Sequence, residues 1–330
     1  MKKILDATLG MHILELEITS RCNLNCLHCY NRLKKNYDLP VKEFKKFFNF
    51  SKKYNVSNFI VSGGEARMHP EFNKICSFIK KRGKNGPRLV LQTNGTMIDE
   101  NFFESASLFD VIHISFDLDD LVRKDSLSNL YLAKDLIKRG IKSYLFTTLH
   151  VNNYKKIGKI VSLANKNKVP IGFNVCLPTE KQDSRFSIPL NDFLSLEKKL
   201  FKLSKNNKIL RYSSPLTAVF DSKKRGKYKG NFGGCVAGIA SCVVGFDGNV
   251  FPCPFFRVPA GNIFKNSLLK IWKKSELFNL MRDRSKYKNP CGSCSYLSYC
   301  GGCRNRALKL NGDVLSFDPF CHLLKNKTIK

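Results

Sequence analysis

The segment EITSRCNLNCLHCYN, residues 17–31, places Cys22, Cys26 and Cys29 directly after the apolar run HILELEI of residues 12–18. Three thiolates this close together can hold three irons of a four-iron cluster and leave the fourth iron without a protein ligand. Such an open iron can bind the amino and carboxylate groups of a small molecule, as open positions do in other catalytic metal centres. The segment therefore predicts a catalytic metal centre in the loop after a first strand.

Outward from this loop, short β-branched or apolar runs alternate with longer amphipathic runs as far as about residue 205. This alternation is typical of parallel βα units. The predicted strands lie near residues 12–18, 57–61, 88–92, 111–116, 142–147 and 171–176. The predicted helices lie at about residues 41–54, 70–82, 99–107, 127–139, 154–167 and 190–204. Six such units predict an α/β fold, a partial (β/α)6 TIM-like barrel, with its chemistry at the C-terminal ends of the strands.

Three polar segments fall at those strand ends. They are SGGE at residues 62–65, QTNG at residues 92–95 and HISFD at residues 113–117. Glycines allow a backbone to approach a ligand closely. Asn94 alone would be typical of a turn residue and Ser115 alone of a buried hydroxyl, but both lie at successive strand ends.

The spacing Cys-x3-Cys-x2-Cys after strand one of such a barrel resembles the signature of the radical S-adenosylmethionine (SAM) superfamily. The segment SGGE is similar to the GGE motif of that family, with Ala66 in place of the usual proline. The resemblance implies that a backbone edge and the Glu65 carboxylate hold the methionine amino group. It implies that Ser115 faces the ribose or carboxylate of SAM and that Arg123 pairs with that carboxylate. The SAM-binding residues that it implies are Tyr30, Gly63, Gly64, Glu65, Asn94, Ser115 and Arg123.

Composition fits a protein with one large and one small domain. The chain has 330 residues, of which 43% are hydrophobic and 25% charged, and this excludes a disordered or fibrous protein. No signal-peptide core and no apolar run of about 18 residues is present, so we expect a soluble, cytoplasmic protein without a membrane segment. The net charge of +31 attracts nucleic acids, acidic peptides, anionic lipids or polycarboxylates without choosing among them.

Thirteen cysteines in an intracellular chain favour metal or iron–sulfur ligation over disulfides. Residues 213–234 are polar, basic and glycine-containing, and we interpret them as the connection between a barrel at 1–212 and a second domain at 235–330. The second domain is predicted to have a hairpin turn at Asp247-Gly248-Asn249 and one helix near 267–284. Its low periodic apolar content predicts that metal centres stabilise its fold.

Eight of the cysteines lie in this second domain, as Cys235-x6-Cys242-x10-Cys253 and then Cys291-x2-Cys294-x5-Cys300-x2-Cys303-x17-Cys321. Eight thiolates are two sets of four, and two structural zinc sites are the alternative. The pattern is similar to the SPASM domain, which carries two auxiliary iron–sulfur clusters. The first set that the resemblance implies, for auxiliary cluster I near the active site, is Cys235, Cys242, Cys253 and Cys303. The second set, for the outer auxiliary cluster II, is Cys291, Cys294, Cys300 and Cys321.

Two cysteines remain outside these sets. Cys76 lies among apolar residues of a predicted helix, which is typical of core packing. Cys176 ends the sixth predicted strand, and it is a candidate catalytic residue that donates a hydrogen atom or a proton to a substrate radical. A buried inert thiol is the alternative for Cys176.

The resemblance implies three [4Fe–4S] clusters and SAM as cofactors, with one electron supplied by a ferredoxin or flavodoxin. Reductive cleavage of SAM would give a 5′-deoxyadenosyl radical that abstracts hydrogen from an unactivated carbon. The auxiliary clusters would bind substrate or accept its electron, which favours an oxidation or a bond-forming step.

Three classes of function stay open. The branch resembles maturases of peptide-derived cofactors and NirJ-like and Ahb-type haem-pathway enzymes. A peptide or protein substrate is the first choice, and a partner protein would recognise the peptide, since strand one begins near residue 12 with no recognition domain before it. A tetrapyrrole with several carboxylates is the alternative. The third is a nucleic-acid-binding protein with structural zinc knots, one of them completed by His28.

Overall fold

Within the described residues, a ten-stranded sheet forms the frame of the protein, in the order β10-β9-β8-β1-β2-β3-β4-β5-β6-β7. The computed structural model describes residues 10–31, 36–81, 86–119, 126–177, 187–212, 214–220 and 234–325. The strands are β1 (Ile13–Glu17), β2 (Asn58–Ser62), β3 (Arg88–Thr93), β4 (Val111–Ser115), β5 (Ser143–Leu149), β6 (Ile171–Val175), β7 (Leu210–Tyr212), β8 (Ser241–Val244), β9 (Asn249–Phe251) and β10 (Gly261–Asn262).

Strands β1 to β7 are parallel neighbours, and helices connect most of them. The helices are α1 (Val41–Lys53), α2 (Phe72–Lys80), α3 (Glu100–Ser107), α4 (Ser126–Lys138), α5 (Ile157–Asn167), α6 (Leu190–Asn206), α7 (Thr217–Phe220), α8 (Leu268–Lys274), α9 (Glu276–Arg282), α10 (Arg304–Asn311) and α11 (His322–Lys325). The α/β class and the parallel barrel-type sheet predicted from the sequence are confirmed.

Apolar side chains at helical spacing explain how the helices pack on the sheet. Phe44, Phe47, Phe48 and Ser51 of α1 are buried on one face, while the lysines of that helix lie on the opposite face. On β1, Leu14 and Leu16 are fully buried in the core between sheet and helices. Because side chains alternate along a strand, Glu15 and Glu17 face the inside of the partial barrel. Both faces of β1 are therefore buried, one by apolar and one by polar groups.

The C-terminal segment continues the barrel sheet. Strand β8 pairs in parallel with β1, and β9 returns antiparallel to β8 through the predicted turn at Asp247-Gly248-Asn249. Gly248 has a φ of +79°, which glycine adopts without strain. The cysteine-rich region is thereby attached directly to the strand that precedes the three-cysteine loop.

The helix predicted near 267–284 is wrong in one respect, because two short helices replace it. Ser275 has a non-helical ψ of 128°. Helix α8 ends just before this residue, and α9 begins just after it. No pattern in the sequence predicted β7, β10, α7, α10 or α11. Cys76 is 9% exposed and belongs to the apolar core beneath α2, in agreement with its predicted packing role.

Within the predicted connection at 213–234, positions 213 and 221–233 lie outside the described residues and α7 occupies 217–220, so the proposed domain bounds remain a prediction. No helix in the described part of the chain is both long enough and apolar enough to cross a membrane.

Candidate functional site: a cysteine-lined cavity at the strand ends

The loop after β1 is anchored by Asp38. The Thr19 hydroxyl donates to Asp38 Oδ1 at 2.6 Å, and Arg21 Nε lies 3.0 Å from Asp38 Oδ2. Backbone N–H groups of the same loop then point at two sulfurs, with Leu24 N 3.4 Å from Cys22 Sγ and Asn31 N 3.4 Å from Cys29 Sγ. Hydrogen bonds of this kind favour the thiolate over the thiol. The loop therefore presents sulfurs suited to metal ligation.

Cys22, Cys26 and Cys29 all line one cavity of about 430 Å³. Among the described residues, no three Cys, His, Asp or Glu side chains are gathered so as to hold a metal ion. Ligands of one zinc ion all lie within about 2.3 Å of it, whereas each thiolate of a four-iron cluster binds its own iron. Three cysteines on the wall of one cavity fit the donor set of a four-iron cluster that keeps one iron without a protein ligand.

The turn at Gly63 and Gly64, after β2, packs directly on the backbone of the loop that follows β1. Gly63 has a φ of +145°, and a Cβ on it would lie 2.3 Å from the Thr19 carbonyl oxygen. A Cβ on Gly64 would lie 2.2 Å from the Arg21 carbonyl oxygen. The amides of Gly64 and Glu65 donate to those two carbonyls at 2.7 Å each. Only glycines fit this contact, which brings the backbone of the turn to the wall of the cavity.

Glu65 follows the glycine turn at the end of β2, where the sequence placed it. Its carboxylate is fully buried and does not line the cavity. It accepts hydrogen bonds from the Thr93 hydroxyl at 3.0 Å and from the Asn94 amide at 2.7 Å, which ties the turn after β2 to the end of β3. Burial raises the pKa of Glu65, and those two bonds oppose the rise. These bonds make Glu65 a positioning residue for the turn, and its predicted contact with the methionine amino group stays a prediction.

A Glu65→Gln variant should weaken SAM binding by about tenfold, because the amide nitrogen of glutamine cannot accept the bond that the Asn94 amide donates. Equilibrium dialysis with SAM measures this. Glu71→Gln, on an exposed carboxylate of the following segment, is the control and should bind SAM as the wild type does. Unchanged SAM affinity in Glu65→Gln would contradict the positioning role.

Three more of the predicted SAM contacts line the cavity, namely Tyr30, Asn94 and Ser115. The Asn94 side chain donates to Asn23 Oδ1 at 2.9 Å and lies 3.8 Å from Cys22 Sγ. Tyr30 meets Phe255 edge to face, with ring centroids 5.5 Å apart. Arg123 lies outside the described residues.

Cys176 does not line this cavity. It is 5% exposed, and burial raises the pKa of its thiol to about 12. Its backbone amide donates to the Leu149 carbonyl at 2.8 Å, so it continues the pairing of β6 with β5. The inert buried thiol fits this placement better than the hydrogen donor.

Sequence patterns missed a bridging side chain on α4. Asn129 Nδ2 donates to the Asn94 carbonyl at 2.8 Å and to the Ser115 carbonyl at 2.6 Å. It therefore fixes the ends of β3 and β4 relative to each other. No local motif marks it, since an asparagine inside a helix carries no signal of its tertiary contacts.

The structure gathers the predicted outer set of thiols. Cys291, Cys294, Cys300 and Cys321 line one small cavity with Asp318. Backbone amides point at two of the sulfurs, from Tyr296 to Cys294 at 3.5 Å and from Gly302 to Cys300 at 3.3 Å. Four thiols around one cavity fit the donor set of a second cluster.

The predicted inner set is only partly gathered. Cys235 and Cys303 lie close enough to Cys253 to raise the pKa of its thiol, to which burial contributes most. Cys242 instead lies on β8 with its Sγ 3.9 Å from Met11 Sδ, fully buried in the apolar core. Burial raises the pKa of the Cys242 thiol to about 12, and the charge of Arg282 opposes that rise. The structure therefore does not support Cys242 as a fourth ligand, because strand alternation turns it into the core.

An ion pair supports both groups of thiols. Arg306 Nη2 lies 2.6 Å and Arg306 Nε 2.8 Å from the carboxylate of Asp318, and both side chains are buried. Asp318 Oδ2 also accepts the backbone N–H of Cys303 at 2.8 Å. Asp318 thus joins the wall of the outer cavity to a cysteine of the inner set.

Comparison with known proteins identifies the class. The family model "Radical SAM superfamily" matches residues 16–125, and the SPASM model, "Iron-sulfur cluster-binding domain", matches residues 235–295. The chain is a radical SAM enzyme. It carries a C-terminal SPASM domain, so SAM and iron–sulfur clusters are its cofactors.

Relatives within this class differ in their named substrates. The chain is 28% identical to the AdoMet-dependent heme synthase of Methanosarcina barkeri, over 92% of this chain and 94% of the relative. It is 24% identical to the PqqA peptide cyclase of Gluconobacter oxydans, over 93% and 89%. In fold it is similar to Streptococcus suis SuiB bound to precursor peptide SuiA, with a TM-score of 0.78, 18% identity and coverage of 98% and 79%.

Proposed function

We propose that this radical SAM/SPASM enzyme abstracts a hydrogen atom from a side chain of a peptide or protein. The observation that carries the proposal is the single cavity shared by Cys22, Cys26, Cys29 and the glycine turn. Its volume of about 430 Å³ lies in the range of roughly 300–1,000 Å³ typical of small-molecule sites. Pro254 and Phe255 of the SPASM segment close one side of it.

The cluster on Cys22, Cys26 and Cys29, with SAM, supplies a 5′-deoxyadenosyl radical when both are bound. In this proposal the backbone edge of Gly63 and Gly64 orients the methionine end of SAM, and Asn94 and Ser115 contact the rest of it. Tyr30 and Phe255 exclude water from the cavity, which protects a radical from side reactions. Arg123 remains a proposed partner of the SAM carboxylate.

For the auxiliary clusters we propose Cys291, Cys294, Cys300 and Cys321 as ligands of the outer one. We propose Cys235, Cys253 and Cys303 for the inner one. The chain would then hold three clusters and about twelve irons. A ferredoxin or flavodoxin is the proposed reductant.

A peptide suits the polarity of the wall, where side-chain amides and hydroxyls such as Gln92, Asn174 and Thr148 can pair with peptide groups. The net charge of +31 suits an acidic leader held by this chain or by a partner protein. The second candidate is a tetrapyrrole, which the 28% identity to a heme synthase favours.

The test supplies each candidate substrate to the reduced enzyme with SAM. Any short peptide encoded beside the gene is expected to accelerate 5′-deoxyadenosine formation. Mass spectrometry should show the loss of two hydrogen atoms, one taken by the 5′-deoxyadenosyl radical and one leaving as a proton whose electron an auxiliary cluster would accept. Iron coproporphyrin III, as the tetrapyrrole probe, should leave the rate unchanged. Acceleration by the tetrapyrrole together with its conversion would overturn the peptide assignment in favour of the second candidate.

A further inference from the structure

Glu15 is an acidic side chain in the cavity wall that the proposed chemistry does not use. It lies on the inner face of β1 and is 5% exposed. It lines the same cavity as the three cysteines and the glycine turn. The geometry therefore presents a carboxyl group to whatever occupies this cavity.

Its hydrogen bonding is sparse for a buried carboxyl. Among the described residues, its one hydrogen bond comes from the Ser62 hydroxyl at 2.6 Å, and it has no ion pair. Glu17, two residues on, has both oxygens paired with Arg257, at 2.8 and 3.0 Å. Glu65 accepts bonds from Thr93 and Asn94. Burying a carboxylate without such partners costs free energy, so Glu15 is incompletely satisfied without a ligand.

The protein side chains around Glu15 do not balance its negative charge. Arg257 is engaged with Glu17, and the phenol of Tyr30 stays neutral because burial raises its pKa well above the usual value. His113 across the cavity is neutral at pH 7, since burial lowers its pKa to about 4. Asp117 is a second acid in the wall, and the described lining contains no lysine or arginine. Burial, opposed by the Ser62 bond, raises the pKa of Glu15 to about 7.

We propose that Glu15, oriented by Ser62, binds an N–H-bearing side chain of the substrate, with the ammonium or guanidinium of a lysine or arginine residue as its best partner. The cation would supply the charge and the hydrogen bonds that the wall lacks. This inference rests on the proposed peptide function and narrows its substrate class. It also makes Glu15 a determinant of specificity, because a carboxylate in the same place would be repelled.

Nα-acetyl-lysine amide and Nα-acetyl-glutamate amide are matched probes, with the same capped backbone and side chains of opposite charge. We would titrate each by calorimetry into the anaerobically prepared, cluster-loaded enzyme saturated with SAM, at pH 8, where Glu15 is mostly ionised. Wild-type protein is expected to prefer the lysine probe by at least about tenfold. Glu15→Gln, which keeps the shape and removes the charge, is expected to lose that preference.

Glu71→Gln is the matched control, since it changes the net charge equally at a side chain 41% exposed on the surface. It should keep the wild-type preference. Ser62→Ala keeps the charge of Glu15 and removes its orienting bond, so it should reduce the preference without reversing it. Ser62→Ala therefore tests the inference even if Glu15→Gln does not fold.

An equal preference in wild type and Glu15→Gln, or an unchanged one in Ser62→Ala, would overturn the inference. Failure of the proposed function would give a different result, because peptides would then leave the rate of 5′-deoxyadenosine formation unchanged while iron coproporphyrin III accelerated it. The binding preference is measured without turnover, so the two failures are distinguishable.

Discussion

Cys26→Ala abolishes 5′-deoxyadenosine formation and lowers the iron content by about four atoms per chain, if Cys22, Cys26 and Cys29 hold one four-iron cluster. Without the Cys26 thiolate, two irons of such a cluster would have no protein ligand. Of the three loop sulfurs that line the cavity, only those of Cys22 and Cys29 would remain. Liquid chromatography of the reduced reaction and iron analysis of the same sample measure both effects.

Cys76→Ala is the matched control for this experiment. Cys76 is a buried thiol of α2 in the apolar core, and its loss leaves a small cavity without touching the site. It should retain all its iron and the wild-type rate. Equal iron loss in both variants would mean that general instability, and not ligation, explains the effect of Cys26→Ala.

Arg306→Met is expected to lower the free energy of unfolding by about 3–5 kcal/mol, the usual cost of removing one partner of a buried ion pair. It should also release iron from the SPASM region. Asp318 would lose two short hydrogen bonds from the guanidinium and remain buried beside the cysteines. Anaerobic chemical denaturation of the loaded protein and iron analysis test this.

The control for Arg306→Met is Lys288→Met, which breaks an ion pair with Asp313 whose lysine is 67% exposed. Exposed pairs contribute about 0–1 kcal/mol, so little change is expected. Similar losses of stability in both variants would contradict a special role for the buried pair.

The buried pair also makes stability depend on pH. Burial alone would raise the pKa of Asp318, but Arg306 and the backbone donors outweigh it and hold that pKa low. The stability that ionised Asp318 contributes is present above the pKa of an unfolded aspartate and is lost as the pH falls through its lower folded value.

The barrel could be predicted from the sequence because its signals are local. Strands β1 to β6 begin and end within two residues of their predicted bounds, since each is a short apolar run bordered by turns. The break at Ser275 was missed because the apolar spacing of α8 continues in α9. The parallel pairing of β8 with β1 joins residues more than 200 positions apart, and no local pattern encodes it.

The candidate site divides in the same way. Close cysteine spacing was sufficient to predict that Cys22, Cys26 and Cys29 share one cavity wall and that Cys291, Cys294 and Cys300 share another, while their binding of clusters stays a prediction. The surroundings of Cys242 and Glu65 could not be predicted, because they depend on tertiary orientation. Strand alternation turns Cys242 into the core, and the hydrogen bonds from Thr93 and Asn94 hold Glu65. Glu15 carried no motif, and only its place inside the barrel makes it notable.

The most direct test of the central account is an anaerobic purification with iron and sulfide analysis, followed by dithionite and SAM with detection of 5′-deoxyadenosine. The account predicts about twelve irons per chain, in three four-iron clusters, and 5′-deoxyadenosine from the wild-type enzyme. Zinc in place of iron, with no 5′-deoxyadenosine, would contradict it and assign the cysteines a structural role.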